Sequence, residues 1–134
     1  MLETKLSELA VNTQGDATAK LLDNGYVDVL TGPKAKDADE AITTQVVLVT
    51  MSFGRPAFKS TVGGVMVSNS LSSGMGLAEG VPAWFRAYPA DRSSSVFDGT
   101  AGKANANMII PASKIVEGVT VGCSSLTHTI VKSL

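Results

Sequence analysis

Cys123 and His128 carry the most reactive side chains of the sequence, and each is the only residue of its type among 134. A cysteine and a histidine can act together as nucleophile and base when their side chains meet. A reactive thiolate also needs a cationic neighbour or a helix N-terminus, whereas both residues lie in a segment with the alternation of a β-strand. The pattern therefore favours a half-buried imidazole hydrogen-bonded within a sheet over a catalytic pair.

Acidic side chains could form two other kinds of site, a carboxylate pair or a metal loop. Asp91 and Asp98 flank the short predicted strand SSSVF, and two carboxylates at a defined separation are the machinery of glycosidases. The segment AKDADEA, residues 35–41, has the acids of a calcium loop but lacks its glycine. We interpret these residues as turn aspartates and a solvated loop. We therefore expect no catalytic residue, no metal, no cofactor and no enzymatic activity.

Aromatic and cationic side chains alternate with apolar ones in AWFRAYP, residues 83–89. In a strand this alternation places Phe85 on the core face and Trp84, Arg86 and Tyr88 on the opposite face. Aromatic and arginine side chains are enriched at the centres of protein interfaces, so these three residues are candidates for partner contact through an exposed patch. The alternative is the second face of a central strand.

The segment 22–53 is the clearest guide to the elements around that strand. It contains the predicted strand YVDVL, a charged loop at 31–44 and the apolar run QVVLVTMSF. Alternation in the apolar run places Val47, Val49, Met51 and Phe53 on one face of a strand. Such a face needs a second layer of structure to cover it.

Later segments continue the β pattern. Strands are predicted around 65–69, 83–88, 95–98 and 107–110, with a hairpin turn at 90–93 and a turn between Gly99 and Gly102. In VTVGCSSLTHTIV the apolar residues alternate with polar ones, and this alternation shifts by one residue in the middle of the segment. The shift predicts a β-bulge near Ser124 and Ser125. Seven to eight short strands with frequent turns predict an all-β chain with a single β-sandwich of jelly-roll or immunoglobulin-like type, spanning residues 25–134.

The first 24 residues form a predicted N-terminal helical arm. Leu2, Leu6 and Leu9 have the spacing of one helical face, Gly15 is expected to interrupt the helix, and a second short helix is predicted to end at Gly25. A helix this short must dock its leucines on another surface. Two alternatives remain: the arm packs over one end of its own sheet, or it contacts a neighbouring subunit.

The composition excludes several classes of partner. Hydrophobic residues make up 44% of the chain, charged residues 17%, and the formal net charge is -1. This balance lacks the basic footprint needed for nucleic acid or an anionic membrane. Sparsely charged surfaces near neutrality tend to associate, so we expect a homo-oligomer, with a soluble monomer as the alternative. A single cysteine and an acidic N-terminus without an apolar run predict folding in the cytoplasm and no secretory signal.

Three segments carry a resemblance to a known family, over most of the chain from about Leu21 onward. They are LLDNGYVDVLTGPKAKDADEAITTQVVLVTMSF, AWFRAYPADRSSSVFDGTAG and NMIIPASKIVEGVTVGCSSLTHTIV. In this order they resemble small β-sandwich virion proteins encoded among the structural genes of tailed bacteriophages. The turn at Asp91-Arg92-Ser93 departs from the Asp-Gly turn expected of such relatives.

The resemblance implies a place in a virus particle and supplies no catalytic residues. The implied role is a capsid decoration or cement protein, assembled in the host cytoplasm, that binds the major capsid protein or other virion proteins and stabilises the head shell. The alternative is a neck or collar, tail or fibre accessory protein. In the fibre role Trp84 and Tyr88 would recognise a host glycan.

Overall fold

The computed structural model describes residues 5–132, and within them the chain is β-rich with one helix and nine strands. This confirms a β-rich fold with a short N-terminal helical segment. The helix α1 spans Glu8–Leu21. The strands are β1 Tyr26–Leu30, β2 Val47–Ser52, β3 Val65–Val67, β4 Gly74–Met75, β5 Trp84–Tyr88, β6 Phe97–Gly102, β7 Met108–Ile109, β8 Thr120–Val121 and β9 Ser125–Thr129.

Seven of the described strands form one sheet in the order β2-β1-β5-β6-β7-β9-β3, and β4 pairs with β8 in a second sheet. All neighbouring pairs are antiparallel except β6 with β7, which are parallel. The backbone of 72–77 runs beside β2, where Ser72 N donates to Ser52 O at 3.0 Å and Leu77 N donates to Leu48 O at 2.7 Å. The second sheet therefore adjoins the β2 edge of the first.

The predicted core face of β2 holds except at Val47. Val49, Met51 and Phe53 are buried in the main core, as predicted. The register shifts between Val29 and Leu30, because Leu30 pairs with Val47. One extra residue in β2 turns Leu48 into the main core and leaves Val47 on the outer side. The prediction that Val47 shares the face of Val49 is therefore wrong.

The N-terminal helix runs through Gly15, so the predicted interruption is wrong. Ser7 caps the helix by accepting a hydrogen bond from Ala10 N at 3.1 Å. Gly15 lies against Thr61, and a Cβ at residue 15 would be 2.5 Å from the Thr61 hydroxyl oxygen. Here glycine permits close packing of the helix and does not end it.

The helix packs on its own domain, which agrees with the first of the two alternatives for the arm. Its buried residues are Val11, Gly15 and Ala19. Three polar side chains on or just after the helix accept backbone N–H groups of the segment 57–64, each at 2.8 Å; they are Asn12, Asp16 and Asp23. Within residues 5–132 no helix has the length and apolarity needed to cross a bilayer.

The predicted leucine stripe does not form one buried face. Leu2 lies outside the described residues. Leu6 is half-buried, and its backbone N–H donates to Lys132 O at 2.8 Å. Leu9 is 78% exposed on the helix surface, so it is free of the main core. Contact of these leucines with a neighbouring subunit stays a prediction.

Two further predictions about strands are wrong. The C-terminal segment does not contain one bulged strand, because β8 pairs with β4 and β9 pairs with β7 and β3. The chain changes sheet at 122–124, and this change explains the altered apolar phase. Strand β6 also continues through Gly99, where a turn was expected. A Cβ at Gly99 would lie 2.5 Å from the Phe85 ring, so this glycine makes room for a core aromatic.

Candidate functional site

The outer face of β5 is the first candidate site, because the sequence places its aromatic and cationic side chains there. Strand β5 lies between β1 and β6, so it is a central strand. Phe85 and Ala87 belong to the main core, which leaves the alternate residues on the outer face. Arg86 is the cross-strand partner of Asp28 on β1 and of Asp98 on β6. Two acidic residues therefore flank Arg86 on the neighbouring strands.

Arg86 forms a buried, two-pronged ion pair with Asp98. Its Nε donates to Asp98 Oδ1 at 2.7 Å, and one terminal nitrogen donates to Oδ2 at 3.0 Å. The terminal nitrogens also donate to Glu40 O at 2.6 Å and Asp37 O at 3.0 Å. The two side chains are only 4% and 3% exposed. The hydrogen bonds to Asp98 raise the pKa of Arg86 above its usual value, although burial opposes the shift.

The loop 31–46 covers the outer face above Trp84. The Trp84 indole N–H donates to Thr31 O at 2.8 Å, and the Ser95 hydroxyl donates to Ala38 O. Trp84 is fully buried, with the Arg86 guanidinium 5.2 Å from its ring centroid. A small second core forms under the loop from Leu30, Ala35 and Trp84, with Ile42 and Val47 packed against it.

The prediction of an exposed patch at Trp84 and Arg86 is therefore corrected. Both side chains are buried because the charged loop folds back over them. The alternative interpretation, the second face of a central strand, describes their position. The loop itself is anchored through its backbone carbonyls, so its charged side chains remain at the surface.

Tyr88 belongs to a partly exposed cluster organised by Arg92. The Arg92 guanidinium donates to both carboxylate oxygens of Asp28 at 3.0 Å, and the Thr50 hydroxyl donates to the same carboxylate at 2.7 Å. The guanidinium carbon lies 4.8 Å from the Tyr26 ring centroid and 4.9 Å from that of Tyr88. Burial raises the pKa of Tyr88, and the neighbouring Asp28 carboxylate adds to the effect.

These contacts define what the outer face of β5 can do chemically. Each of the three guanidinium nitrogens of Arg86 already donates within the chain, and both oxygens of Asp98 accept from it. Asp28 likewise receives Arg92 and Thr50. The charged groups thus bind one another, and these contacts hold the loop and the hairpin turn on the sheet. Within this network the hydrogen-bond donors are engaged by groups of the chain itself, so they do not form a substrate-binding site.

Cys123 and His128 lie in different environments. The Cys123 thiol donates to Ser125 O at 3.1 Å, and burial raises its pKa, which disfavours the thiolate. The His128 ring is stacked on Phe97 with centroids 4.2 Å apart and planes 5° apart. Burial lowers the pKa of His128. The geometry favours a protonated thiol and a neutral imidazole, both with structural contacts.

Stability should depend on pH through His128. Its pKa is lower in the folded chain than in the unfolded chain, so protons bind preferentially to the unfolded chain as pH falls below about 6.5. We expect the unfolding free energy to decrease from pH 7 to pH 5, with a slope of at most about 1.4 kcal/mol per pH unit. Urea titrations of the wild type and of His128→Phe, which keeps an aromatic ring on Phe97, measure this effect. Identical slopes in the two proteins would contradict the assignment.

The other acidic residues do not form a site in the described structure. Asp98 is paired with Arg86, whereas Asp91 accepts a hydrogen bond from Ser93 N at 3.0 Å in the turn. This hydrogen bond lowers the pKa of Asp91. Among residues 5–132 there is no group of three or more histidine, cysteine, aspartate or glutamate side chains placed to hold a metal ion.

Exposed apolar side chains form a second candidate, an interaction surface of which the sequence pointed only to Leu9. Several lie where the helix begins, around the turn before β3 and at the end of β9; we name them the N-terminal surface. The segments that carry these residues are joined through the backbone: Val62 N donates to Val65 O at 3.2 Å, Ile130 N donates to Gly64 O at 2.8 Å, and Leu6 N donates to Lys132 O at 2.8 Å. The N-terminal surface consists of Leu9, Val62, Val65 and Val131.

A separate group of exposed apolar side chains lies on the small sheet and its flanking turns; we name it the β4–β8 surface. The segments 74–81 and 115–121 that carry it are hydrogen-bonded to each other, for example from Gly76 N to Val119 O at 3.0 Å. The alternation Met75-Gly76-Leu77 in a glycine-rich stretch is the local signal of these residues in the sequence. The β4–β8 surface consists of Met75, Leu77, Val81, Val116 and Val119.

Comparisons of the chain with protein-family models, with curated proteins and with solved structures find no significant match.

Proposed function

We propose that the protein is a structural component of a tailed-bacteriophage virion, and that it decorates the head shell as a cement protein. The proposal rests on the resemblance of three segments to such virion proteins and on the character of the molecular surface. The partner is the major capsid protein or another virion protein, and assembly takes place in the host cytoplasm. The protein acts through protein-protein contacts and carries out no reaction.

One observation supports the proposal best: the buried charged side chains bind groups of the same chain, whereas large apolar side chains are exposed to solvent. The buried charges Arg86 and Asp98 are directed at each other and at the loop. Large apolar side chains, in contrast, are exposed in groups, with Leu9 78% exposed at the first turn of the helix. Grouped apolar side chains on a surface mark protein interaction sites. We assign the N-terminal surface to contact with the shell.

The proposed architecture is a single β-sandwich. The seven-stranded sheet supplies most of the main core, and the small β4–β8 sheet lies beside β2 with Val121 packed on the same core. A layered β domain of this kind can present its edges and turns to two neighbours at once. The proposed mechanism follows from mass action, because a protein that binds only the closed shell stabilises it relative to disassembled subunits.

The number of copies per particle tests the decoration role. We expect quantitative mass spectrometry of purified virions to find this chain at a number comparable to the major capsid protein. A number of about a dozen or fewer would contradict decoration and favour the neck, collar, tail or fibre, since those structures contain few subunits in the family that the chain resembles.

Matched variants test the assignment of the N-terminal surface. Leu9→Asp places a charge on the exposed first turn, where an acidic residue is compatible with the helix dipole, so folding should be retained. Leu21→Asp is the control, because Leu21 is an exposed leucine at the other end of the same helix. We expect only Leu9→Asp to reduce incorporation into particles. Equal incorporation of the two variants would contradict the assignment.

Recognition of a host glycan is the alternative in a fibre role. Trp84 is fully buried and its indole N–H is engaged by Thr31 O, so its ring is not available to stack on a sugar. Tyr88 remains partly exposed beside Arg92. Glycan-array binding by the wild type that is lost in Tyr88→Ala would favour this alternative. The absence of any glycan binding by the wild type would favour the decoration role.

A further inference from the structure

The junction between α1 and β1 contains the only asparagine–glycine pair of the sequence, Asn24-Gly25. Glycine has no side chain, so its backbone nitrogen can reach the side chain of the preceding asparagine without steric hindrance. In the fold Asn24 is exposed and Gly25 is buried. Asn24 has a φ of 59°, in the left-handed region that asparagine adopts more readily than most residues. The pair therefore combines a reactive sequence with a specific place in the fold.

The reaction open to such a pair is deamidation through a cyclic imide. The Gly25 nitrogen attacks Asn24 Cγ, so that the N–Cγ bond forms, the Cγ–Nδ2 bond breaks and ammonia leaves with the proton of the former N–H. Water then opens the ring at either carbonyl. One opening gives aspartate. The other gives isoaspartate, in which the main chain runs through the side-chain carbons and is longer by one methylene group.

In the folded chain the attacking nitrogen is already engaged. Gly25 N donates to Leu22 O at 2.7 Å, beside the last turn of α1. The same peptide unit is held on both sides, because Asn24 N donates to Gly54 O at 3.0 Å and Phe53 N donates to Gly25 O at 2.9 Å. Attack on Cγ requires the Gly25 nitrogen to leave Leu22 O and the main chain to rotate. The reaction must therefore wait for a local opening of this junction.

The junction also lacks space for the longer main chain of isoaspartate. A Cβ at Gly25 would lie 2.2 Å from Tyr88 O and 2.8 Å from Leu22 O. The residues on either side are fixed in the fold, because Leu22 is fully buried in the main core and Tyr26 is paired with Tyr88 across the sheet. An added methylene group would displace either the end of α1 or the register of β1.

We propose that Asn24 is a deamidation site of the unfolded chain, that folding protects it, and that the isoaspartate product does not regain the native fold. Folding then competes with an irreversible reaction of the unfolded state, which limits the yield of native protein kinetically. The proposal concerns the isolated chain, so it can stand or fail independently of a role in a virion.

Mass spectrometry of the tryptic peptide 21–34 tests the protected reaction. The purified full chain is incubated at mildly alkaline pH, either folded or unfolded in guanidinium chloride. We expect Asn24 to convert to aspartate and isoaspartate in the unfolded chain, and at least about tenfold more slowly in the folded chain, because several hydrogen bonds must open first. Asn105 is the internal reference, since it is exposed but is followed by alanine, and it should react more slowly than Asn24 in the unfolded chain.

Refolding after the incubation tests the consequence for the fold. We expect isoaspartate at residue 24 in the fraction that fails to refold, and asparagine or aspartate in the refolded fraction. Asn24→Gly is the matched control, because glycine accepts the positive φ and carries no amide. Its refolding yield should not decline with time in the unfolded state. Asn24→Asp carries the other product on a main chain of normal length and should fold.

Four results would overturn the proposal. They are equal reaction of Asn24 in the folded and unfolded chains, reaction in the unfolded chain no faster than that of Asn105, equal fractions of isoaspartate in refolded and unrefolded protein, and a refolding yield that declines in Asn24→Gly as it does in the wild type. The first three comparisons use the wild type alone, so they decide the proposal even if a variant fails to fold.

Discussion

Val49→Asp should prevent folding. Val49 is fully buried in the main core on β2, opposite Val29 of β1. An ionised carboxylate placed there without a partner loses its hydration, and the cost exceeds the roughly 5–15 kcal/mol by which native domains are stable. Expression of the variant should give insoluble protein or a chain without a cooperative melting transition.

Val46→Asp is the matched control for this substitution. Val46 lies one residue before β2 and is 47% exposed, so the new carboxylate remains hydrated. We expect this variant to be soluble and to melt within a few degrees of the wild type. A soluble Val49→Asp protein with a cooperative transition would show that the two faces of β2 are assigned incorrectly.

Asp98→Ala should destabilise the domain by about 3–5 kcal/mol, the cost of leaving one member of a buried ion pair uncompensated. The substitution leaves the guanidinium of Arg86 buried beside Trp84, where the carbonyl oxygens of Glu40 and Asp37 still accept from it. Urea denaturation measures the loss of unfolding free energy. Asp91→Ala is the control, because Asp91 lies in the adjacent exposed turn and bonds only locally to Ser93.

The double variant Arg86→Met with Asp98→Leu separates charge from packing. It removes both charges together, and replacement of a buried pair by apolar side chains of similar volume is often neutral or stabilising. We expect it to be more stable than Asp98→Ala alone. A loss below about 1 kcal/mol for Asp98→Ala, the size of an ordinary substitution, would show that the pair does not anchor the loop.

Local patterns in the sequence predicted much of the β structure. Alternation in 83–89 placed Phe85 in the core and separated it from Trp84 and Arg86, because alternation follows from strand geometry alone. The same rule failed at Val47, because an extra residue in β2 changes the face that follows and no local pattern marks it. The break between β8 and β9 was visible in the sequence as a shift in the alternation of apolar residues. That shift alone did not distinguish a β-bulge from a strand that ends and continues in another sheet.

Long-range contacts account for the features that the sequence did not reveal. The charged loop predicted at 31–44 was interpreted as solvated, whereas its backbone carbonyls accept hydrogen bonds from Arg86 and Trp84 some fifty positions later. Gly15 suggested a helix end, but it is required by the close approach of Thr61. The two apolar surfaces likewise combine residues from distant segments, so no local pattern could have shown that they are grouped.

A cryo-EM map of a tailed-phage virion that contains this chain would show directly whether the protein decorates the head. We expect density for the β-rich domain at many equivalent positions on the outside of the head, with the N-terminal surface against the shell and each domain bridging neighbouring capsid subunits. Density confined to the neck, tail or fibres, or a particle without the domain, would contradict it.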